Sequence, residues 1–282
     1  MPGADCAAAL RSTVRLGPGV KSVAAALQGN VAAYYVGLFD SSELLRVDAD
    51  GAVVWRVATG AGRTNGVATN GDVVVTTNRD RGAVTLHRAA TGAHIATLPT
   101  GSLPWGISVD AERAYVANFG SGSVSIVDLV RGEIVRTVPV GTQPVTTLAH
   151  SGRVYVLHLN GAVFVLDADG NRQLQAVASL SGARALALDP LRNRLYVTGE
   201  PARVSVLGAA SLQEVTRFAL PGPAYAAVVN PQTGRLFAVD PQHNRLYMVE
   251  PEGGAVAQLA LPAQDAVEGG QQAGHVSVVD AI

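Results

Sequence analysis

The sequence predicts an all-β protein made of repeated four-stranded units, and three observations support this prediction. First, a Tyr-Val dipeptide or a near variant recurs at spacings of 40, 40, 40, 41 and 41 residues. Its copies are Tyr35-Val36, Val75-Thr76, Tyr115-Val116, Tyr155-Val156, Tyr196-Val197 and Phe237-Ala238. Second, apolar and polar residues alternate within each period, and Gly, Pro, Asn and Asp interrupt them, as in short strands. Third, no 11-residue stretch has a helical periodicity. A self-similar period of this length is typical of solenoids, propellers and arrays.

The unit around residue 120 shows all four strands. They are WGISVD (105–110), AYVANF (114–119), SVSIVDL (123–129) and EIVRTVPV (133–140). Four short antiparallel strands in about 40 residues are the blade of a β-propeller, which arranges its blades around a central channel.

The two ends of the chain determine the predicted number of blades. Six full units run from about residue 18 to residue 262, which leaves 17 residues before them and 20 after them. The segment TVRLG (13–17) matches the outer-strand segment TVPVG (137–141), and HVSVVD (275–280) matches a middle strand. We therefore predict seven blades of four antiparallel strands in a single domain, 1–282, with the last blade closed by both termini. Such closure removes open sheet edges.

Composition and charge exclude several classes of function. The 21 basic and 22 acidic residues give a net charge of −1, whereas a nucleic-acid-binding protein needs a surplus of basic residues. The single cysteine, Cys6, excludes an intramolecular disulfide and a cysteine-based zinc site. No apolar run approaches the roughly 20 residues of a membrane-spanning helix. The first residues lack the features of a signal peptide, which leaves the compartment open.

Three segments carry a family resemblance. YVAN (115–118), VSIVD (124–128) and VPVGTQP (138–144) resemble the YVTN-repeat family of seven-bladed propellers, and the similarity extends over nearly the whole chain. The resemblance implies a location outside the cell or in the periplasm, with a cytoplasmic location left open. We also expect a bacterial protein, and the closed ring predicts a monomer. Relatives include cell-surface and periplasmic binding proteins, and more distant propellers include lactonases and a streptogramin lyase. The repeat motif carries structural residues, so no catalytic residue follows from it.

Aligning the units shows where they differ. One variable position opens each inner strand: Lys21, Asn65, Trp105, Val145, Arg184, Tyr225 and Asp265. The next position is small or hydroxylic in every unit: Ser22, Gly66, Gly106, Thr146, Ala185, Ala226 and Ala266. Packing near the axis explains the small set, because the blades converge there. The variable set resembles a binding site on a symmetric scaffold, and the alternative is that these are ordinary surface residues at loop ends.

The chemistry of the variable positions favours an organic anion with a flat, unsaturated portion. Arginine offers a planar fork for a carboxylate or phosphate, lysine offers a point charge, and the aromatic side chains offer stacking surfaces. Asp265 is either a base or the salt partner of a cation. The predicted ligand-binding residues are Lys21, Arg63, Asn65, Trp105, Arg184, Tyr225 and Asp265. Gln143 and Gln264 lie, like Arg63, in the loops before the inner strands.

Catalytic constellations are mostly absent from the sequence. Only Asp265 and Glu268 supply carboxylates at the predicted mouth, so we expect no metal and no cofactor. Asp110 and Asp189 end inner strands and read as turn residues. A metal pair of His158 and Asp240 is conceivable, although they lie two blades apart. The sequence thus favours a binding or scaffold propeller for a small organic anion or a partner peptide. The alternative is a hydrolase or lyase, lactonase-like or streptogramin-lyase-like, that acts at the channel mouth.

Overall fold

The computed structural model describes residues 16, 19–28, 31–60, 62–177, 181–251 and 256–260. These residues form six sheets of four antiparallel strands each, and within every sheet the strands pair in chain order. We number the sheets as blades 1 to 6. Blade 1 consists of β1 (Val20–Gln28), β2 (Val31–Leu38), β3 (Glu43–Asp48) and β4 (Val53–Ala58). Blade 2 consists of β5 (Thr64–Thr69), β6 (Val73–Asn78), β7 (Ala83–Arg88) and β8 (His94–Pro99). Blade 3 consists of β9 (Pro104–Val109), β10 (Arg113–Asn118), β11 (Ser123–Asp128) and β12 (Glu133–Pro139).

The second half of the ring repeats this arrangement. Blade 4 consists of β13 (Pro144–His150), β14 (Arg153–His158), β15 (Ala162–Asp167) and β16 (Arg172–Val177). Blade 5 consists of β17 (Ala183–Asp189), β18 (Arg194–Gly199), β19 (Arg203–Gly208) and β20 (Glu214–Ala219). Blade 6 consists of β21 (Ala226–Val229), β22 (Leu236–Asp240), β23 (Arg245–Val249) and β24 (Val256–Ala260). The described residues contain no helix. The prediction of an all-β propeller is confirmed, and the four strands predicted in blade 3 agree with the observed bounds closely.

The prediction of seven blades is wrong, because the described residues form six. Each blade uses one period of the sequence, and the six periods supply all 24 strands of the described residues. The predicted seventh blade depends on matches of five or six residues at the chain ends, and any alternating apolar segment satisfies so short a pattern. Residues 1–15 and 261–282, on which the closure by both termini depended, lie outside the described residues. Leu16 packs against the core of blade 1, as do Val20 and Val23.

The core lies between neighbouring blades and is centred on their two middle strands. The outer strands are largely exposed, as in β4 and β20. The tyrosine of the repeat is buried in each of the four blades that carry it, and in three of them its hydroxyl donates a hydrogen bond to the next blade. Tyr35, Tyr155 and Tyr196 donate to the carbonyls of Ala89, Ala209 and Pro251 at 3.3, 3.0 and 3.4 Å. The Tyr115 hydroxyl donates to Asp110 Oδ2 of its own blade at 2.8 Å and lies 3.5 Å from the Ala168 carbonyl oxygen of the next blade. The repeated tyrosine is therefore an inter-blade clasp.

The inner strands of all six blades line a central channel of about 460 Å³. Small residues occupy the crowded positions near one end, as predicted. A Cβ on Gly106 would lie 2.4 Å from Thr146 Oγ1, and a Cβ on Gly66 would lie 2.7 Å from the Trp105 carbonyl oxygen. Packing between adjacent inner strands therefore accounts for the small set.

Candidate functional site

One rim of the channel, here called the mouth, is built where inner strands begin and second strands end. The ladders place Thr64 opposite Asn78 and Pro144 opposite His158. Because the paired strands are antiparallel, the loop before each inner strand and the loop after each second strand lie on the same rim. The mouth is therefore lined by two sets of loops from every blade.

The variable positions coincide with β-bulges in five blades. In blade 1, Val20 pairs with Leu38 and Ser22 pairs with Gly37, so Lys21 is the extra residue of the inner strand. Val145 and Arg184 are the extra residues of blades 4 and 5 in the same way. The registers of blades 2 and 3 show the same two-against-one pairing at 65–66 and 105–106. Bulges re-aim side chains and are frequent next to functional sites.

On the side of blades 1 to 3, the mouth carries a cluster of cations and aromatic rings. Lys21 Nζ lies 5.4 Å from the centre of the Phe39 ring, and the Arg63 guanidinium lies 5.1 Å from the same ring. The Arg79 guanidinium lies 5.5 Å from the centre of the Trp105 ring. We call these five residues the cation–aromatic cluster. Such contacts hold cationic groups against flat apolar surfaces.

Arg63 is held in place by a carboxylate. Its Nη2 lies 2.7 Å from Asp80 Oδ1, its Nε donates to both carboxylate oxygens, and its backbone amide donates to Oδ2 at 3.0 Å. Hydrogen bonds from the Arg63 side chain and backbone lower the pKa of Asp80 to about 2. The charge of Arg63 is thus paired with that of Asp80.

Lys21 lies in an unfavourable environment for an ammonium group. Burial and the nearby positive charge of Arg79 lower the pKa of Lys21 to about 8, and the Asp40 carboxylate opposes that shift. An anion bound beside Lys21 would relieve both unfavourable effects.

Several donors at the mouth are buried without an acceptor within the described part of the chain. They are Asn65 Nδ2, Arg79 Nε and Arg184 Nε. Buried polar groups in native proteins are almost always hydrogen-bonded, and each exception requires an explanation such as a bound molecule or water. Three unsatisfied donors on one rim favour an acceptor-rich ligand.

On the side of blades 5 and 6, the mouth carries a hydrogen-bonded network. The Tyr225 hydroxyl donates to the Glu200 carboxylate and accepts a hydrogen bond from Gln242 Nε2 at 3.0 Å. The Arg184 guanidinium lies 5.8 Å from the centre of the Tyr225 ring. Burial, together with the Glu200 hydrogen bond and charge, raises the pKa of Tyr225 to about 12, so this hydroxyl is a donor at neutral pH. A shallow cavity lies beside Glu200, Pro223 and Gln242.

A histidine–carboxylate pair follows this network in the chain. Asp240 is fully buried at the end of β22, and its Oδ1 accepts the backbone amides of Gln242 and His243 at 3.0 and 3.2 Å. Its Oδ2 lies 2.7 Å from His243 Nδ1 and accepts the Tyr247 hydroxyl at 3.1 Å. A carboxylate on Nδ1 favours the tautomer in which Nε2 is an acceptor. The His243 side chain itself is exposed.

The structure brings most of the predicted residues together, in two groups. Lys21, Arg63 and Trp105 belong to the cation–aromatic cluster, with Asn65 beside them in blade 2, and Arg184 contacts Tyr225 on the other side. The residue at the bulge of blade 4, Val145, is apolar and buried, so this blade contributes no polar side chain there. Asp265 and Gln264 lie outside the described residues.

Sequence reasoning missed four mouth residues: Phe39, Arg79, Glu200 and Gln242. All follow the second strand directly, one or two positions after the four-residue repeat motif. Two of these residues lie in the loops NRDRG (78–82) and DPQHN (240–244). Charged residues in such a loop are typical of a solvated turn, so the sequence of one unit does not predict their contacts with the neighbouring blade.

The other candidate residues have local structural roles. Asp110 Oδ1 accepts the backbone amides of Glu112 and Arg113 at 3.0 and 2.8 Å, and Asp189 accepts that of Arg192 at 3.0 Å, so the turn interpretation is confirmed. His158 Nδ1 lies 2.7 Å from the Thr142 carbonyl oxygen, and its Nε2 is buried without a partner among the described residues.

Within the described residues, no group of three His, Cys, Asp or Glu residues could hold a metal ion. No helix there is long and apolar enough to cross a membrane.

Comparison with known proteins supports the fold and goes no further. No protein-family model matches the chain, and no curated protein matches it. Among solved structures, hydrazine synthase of Kuenenia stuttgartiensis is similar with a TM-score of 0.73 and 17% identity, covering 85% of this chain and 79% of that chain. At that identity the similarity shows the fold alone. With 1720 matching chains among solved structures, the fold is too widespread to indicate a function. The protein is a β-propeller, and the resemblance to the YVTN-repeat family is not confirmed.

Proposed function

We propose that this β-propeller is a binding protein whose mouth takes a small organic anion with a flat, unsaturated portion. The observation that carries the proposal is the pair of buried donors, Asn65 Nδ2 and Arg79 Nε, that have no acceptor within the described residues. They lie where two cations, Lys21 and Arg79, are close enough to repel each other. An anionic group supplies acceptors for these donors and reduces the repulsion between the two cations.

The cation–aromatic cluster also favours a ligand with a flat portion. Trp105 is half-buried, with its ring 4.8 Å from that of Phe119 and the Arg79 guanidinium near it. Phe39 presents a second ring between Lys21 and Arg63. Aromatic rings attract one another in offset or tilted arrangements. A ligand with an unsaturated portion adds one more flat surface to this packing. The narrow channel below is lined mainly by small and aliphatic residues, so the polar recognition is concentrated at the mouth.

Isothermal titration calorimetry with benzoate and phenyl phosphate tests the proposal. We expect saturable binding of at least one of them, weakened about tenfold or more by Arg79→Ala, because a charge-assisted hydrogen bond contributes roughly 1.5–3 kcal/mol. Arg88→Ala is the matched control, since Arg88 is exposed at the far end of β7, away from the mouth. Absence of saturable binding by both compounds, or equal affinity of the Arg79→Ala and Arg88→Ala variants, would overturn the proposal.

A second candidate function is hydrolysis or elimination at the mouth, and the Asp240–His243 pair favours it. A buried carboxylate that orients an exposed imidazole is the arrangement of a general base and its positioning group. Assays with γ-butyrolactone and p-nitrophenyl acetate test this candidate. Turnover that His243→Gln abolishes and His150→Gln leaves intact would support it, and turnover that survives His243→Gln would exclude it.

The finer assignments from the sequence are also proposals. We propose membership of the YVTN-repeat family and a monomeric state, supported by the recurrent Tyr-Val segments and by the inter-blade packing within one chain. Light scattering coupled to size-exclusion chromatography distinguishes a 28.9 kDa monomer from a dimer.

A further inference from the structure

Two histidines of blade 2 lie opposite each other on neighbouring strands, at the end of the blade away from the mouth. His87, next to the last residue of β7, pairs with His94, the first residue of β8. Residues directly opposite on antiparallel strands share one face of the sheet, with Cβ atoms about 4.5–5.5 Å apart. The two imidazole ring centres are 5.7 Å apart. Because the two residues are seven positions apart in the chain, only the pairing of β7 with β8 brings them together.

The hydrogen bonds of the two rings leave one nitrogen of each available. The His87 ring donates to the Ala58 carbonyl of blade 1, and its Nδ1 is buried without a partner among the described residues. The donor is therefore Nε2, and Nδ1 carries the lone pair. His94 Nε2 lies 2.9 Å from Thr97 Oγ1. Histidines that bind a metal through one ring nitrogen usually donate a hydrogen bond from the other, which fixes the tautomer and the ring orientation.

The His87 side chain is fully buried, and that of His94 is exposed, so an ion reaches the pair from the His94 side. Burial and the neighbouring His94 lower the pKa of His87 to about 4, so the buried ring is neutral at neutral pH. A neutral imidazole is the form that binds a metal ion. The turn between the strands is closed by backbone hydrogen bonds from Arg88 to Ala93 and from Gly92 to Arg88, both 2.8 Å.

We propose that His87 and His94 form a site for a divalent transition metal, Cu²⁺ being bound most tightly, with each ring coordinating through Nδ1. With metal–nitrogen distances of about 2.0–2.1 Å, two imidazoles on one metal place their ring centres roughly 5–6 Å apart. The observed separation of 5.7 Å lies in this range. A bound metal also supplies the partner that the buried His87 Nδ1 lacks.

The ligand set favours copper over harder ions. Imidazole nitrogen suits copper, nickel and zinc, and Cu²⁺ has the highest affinity of the three for a given site. No third His, Cys, Asp or Glu joins the pair within the described part of the chain, so water completes the coordination. The site lies away from the mouth and does not depend on the proposed anion site.

Trp55 of blade 1 reports on this site, because it lies beside the turn that joins β7 to β8. Its Nε1 donates to the Ala89 carbonyl at 3.3 Å, and a Cβ on Gly92 would lie 3.0 Å from its Cδ2. Ala89 follows His87 by two residues. A Cu²⁺ ion at the histidine pair is therefore close enough to quench the emission of the Trp55 indole.

The experiment is a titration with CuCl₂ of a Trp105→Phe, Cys6→Ser protein, in which Trp55 is the only indole and no thiol competes for the metal. We expect saturable quenching with one ion per chain. His94→Ala should raise the half-saturating concentration at least tenfold. His150→Ala is the matched control, because it removes an exposed imidazole at the end of β13, and it should leave the curve unchanged. ZnCl₂ should displace Cu²⁺ only at higher concentration.

Electron paramagnetic resonance identifies the ligands. With less than one equivalent of Cu²⁺, the spectrum should show coupling to two nitrogen atoms, and His94→Ala should abolish this pattern. Because His94 is exposed, this variant should keep the thermal unfolding midpoint of the parent protein, so its effect reports on the metal. Quenching that does not saturate, quenching that is identical in the His94→Ala and His150→Ala variants, or a spectrum without coupling to two nitrogens would overturn the inference.

Discussion

The Arg79 guanidinium lies 5.5 Å from the centre of the Trp105 ring and joins the mouth loops of blades 2 and 3. A cation held against an aromatic ring contributes about 0.5–1 kcal/mol when partly exposed. We therefore expect a double-mutant cycle of Arg79→Ala and Trp105→Ala, measured by urea denaturation, to give a coupling energy in that range. Additive effects of the two substitutions would show that the contact contributes nothing to stability.

The inter-blade clasp predicts a stability effect far from the mouth. Tyr155→Phe removes the hydroxyl that donates to the Ala209 carbonyl at 3.0 Å and leaves that buried acceptor with one hydrogen bond fewer. We expect a loss of about 1 kcal/mol in the free energy of unfolding. Tyr34→Phe is the matched control, because Tyr34 is exposed, and it should change the unfolding free energy little. Equal effects of the two substitutions would argue against the clasp.

The close packing of the channel wall predicts that a larger side chain at Gly106 lowers the stability of the protein. Gly106→Ala places a Cβ 2.4 Å from Thr146 Oγ1 and 2.6 Å from Thr146 Cα, and the backbone contact cannot be relieved by a side-chain rotation. Overpacking of this kind costs roughly 1–3 kcal/mol. Thermal unfolding of the Gly106→Ala variant measures it, and an unchanged midpoint would mean that the inner strands of blades 3 and 4 move apart freely.

The lowered pKa of Lys21 predicts that the free energy of unfolding depends on pH, and it predicts the sign of that dependence. Its pKa is lowered to about 8 in the folded protein from 10.5, so between these values the unfolded chain binds more protons than the folded chain. Stability from this group therefore rises with pH across that window. We expect the free energy of unfolding of the natural protein to rise relative to that of Lys21→Met between about pH 8 and pH 10. A constant difference between the two proteins over this range would contradict the shift.

The accuracy of the sequence-based prediction differs between elements for physical reasons. Strand positions followed from alternation and turn residues, and the observed β10, Arg113–Asn118, begins one residue before the predicted segment. The number of blades did not follow, because a short alternating segment such as TVRLG (13–17) resembles an outer strand without containing a full repeat.

The mouth shows the same contrast. Alignment of the repeat units located Lys21, Trp105 and Arg184, because the residue at the bulge position differs from unit to unit. It did not predict that Val145 turns into the core, nor that Arg79 contacts Trp105. Those outcomes depend on how neighbouring blades pack, which the pattern within one blade does not contain.

The central claim is that the mouth binds an organic anion against Trp105, and one measurement tests it most directly. The chain has two tryptophans, so Trp55→Phe leaves Trp105 as the only indole fluorophore. Trp55 lies on the outer strand of blade 1, with its ring 6.0 Å from that of Tyr35. The substitution removes one hydrogen bond, from Trp55 Nε1 to the Ala89 carbonyl at 3.3 Å. We predict that benzoate changes the Trp105 emission of this variant along a saturable curve, which Arg79→Ala shifts to higher concentration. Emission that does not change, or that changes linearly and identically with and without Arg79, would contradict the account.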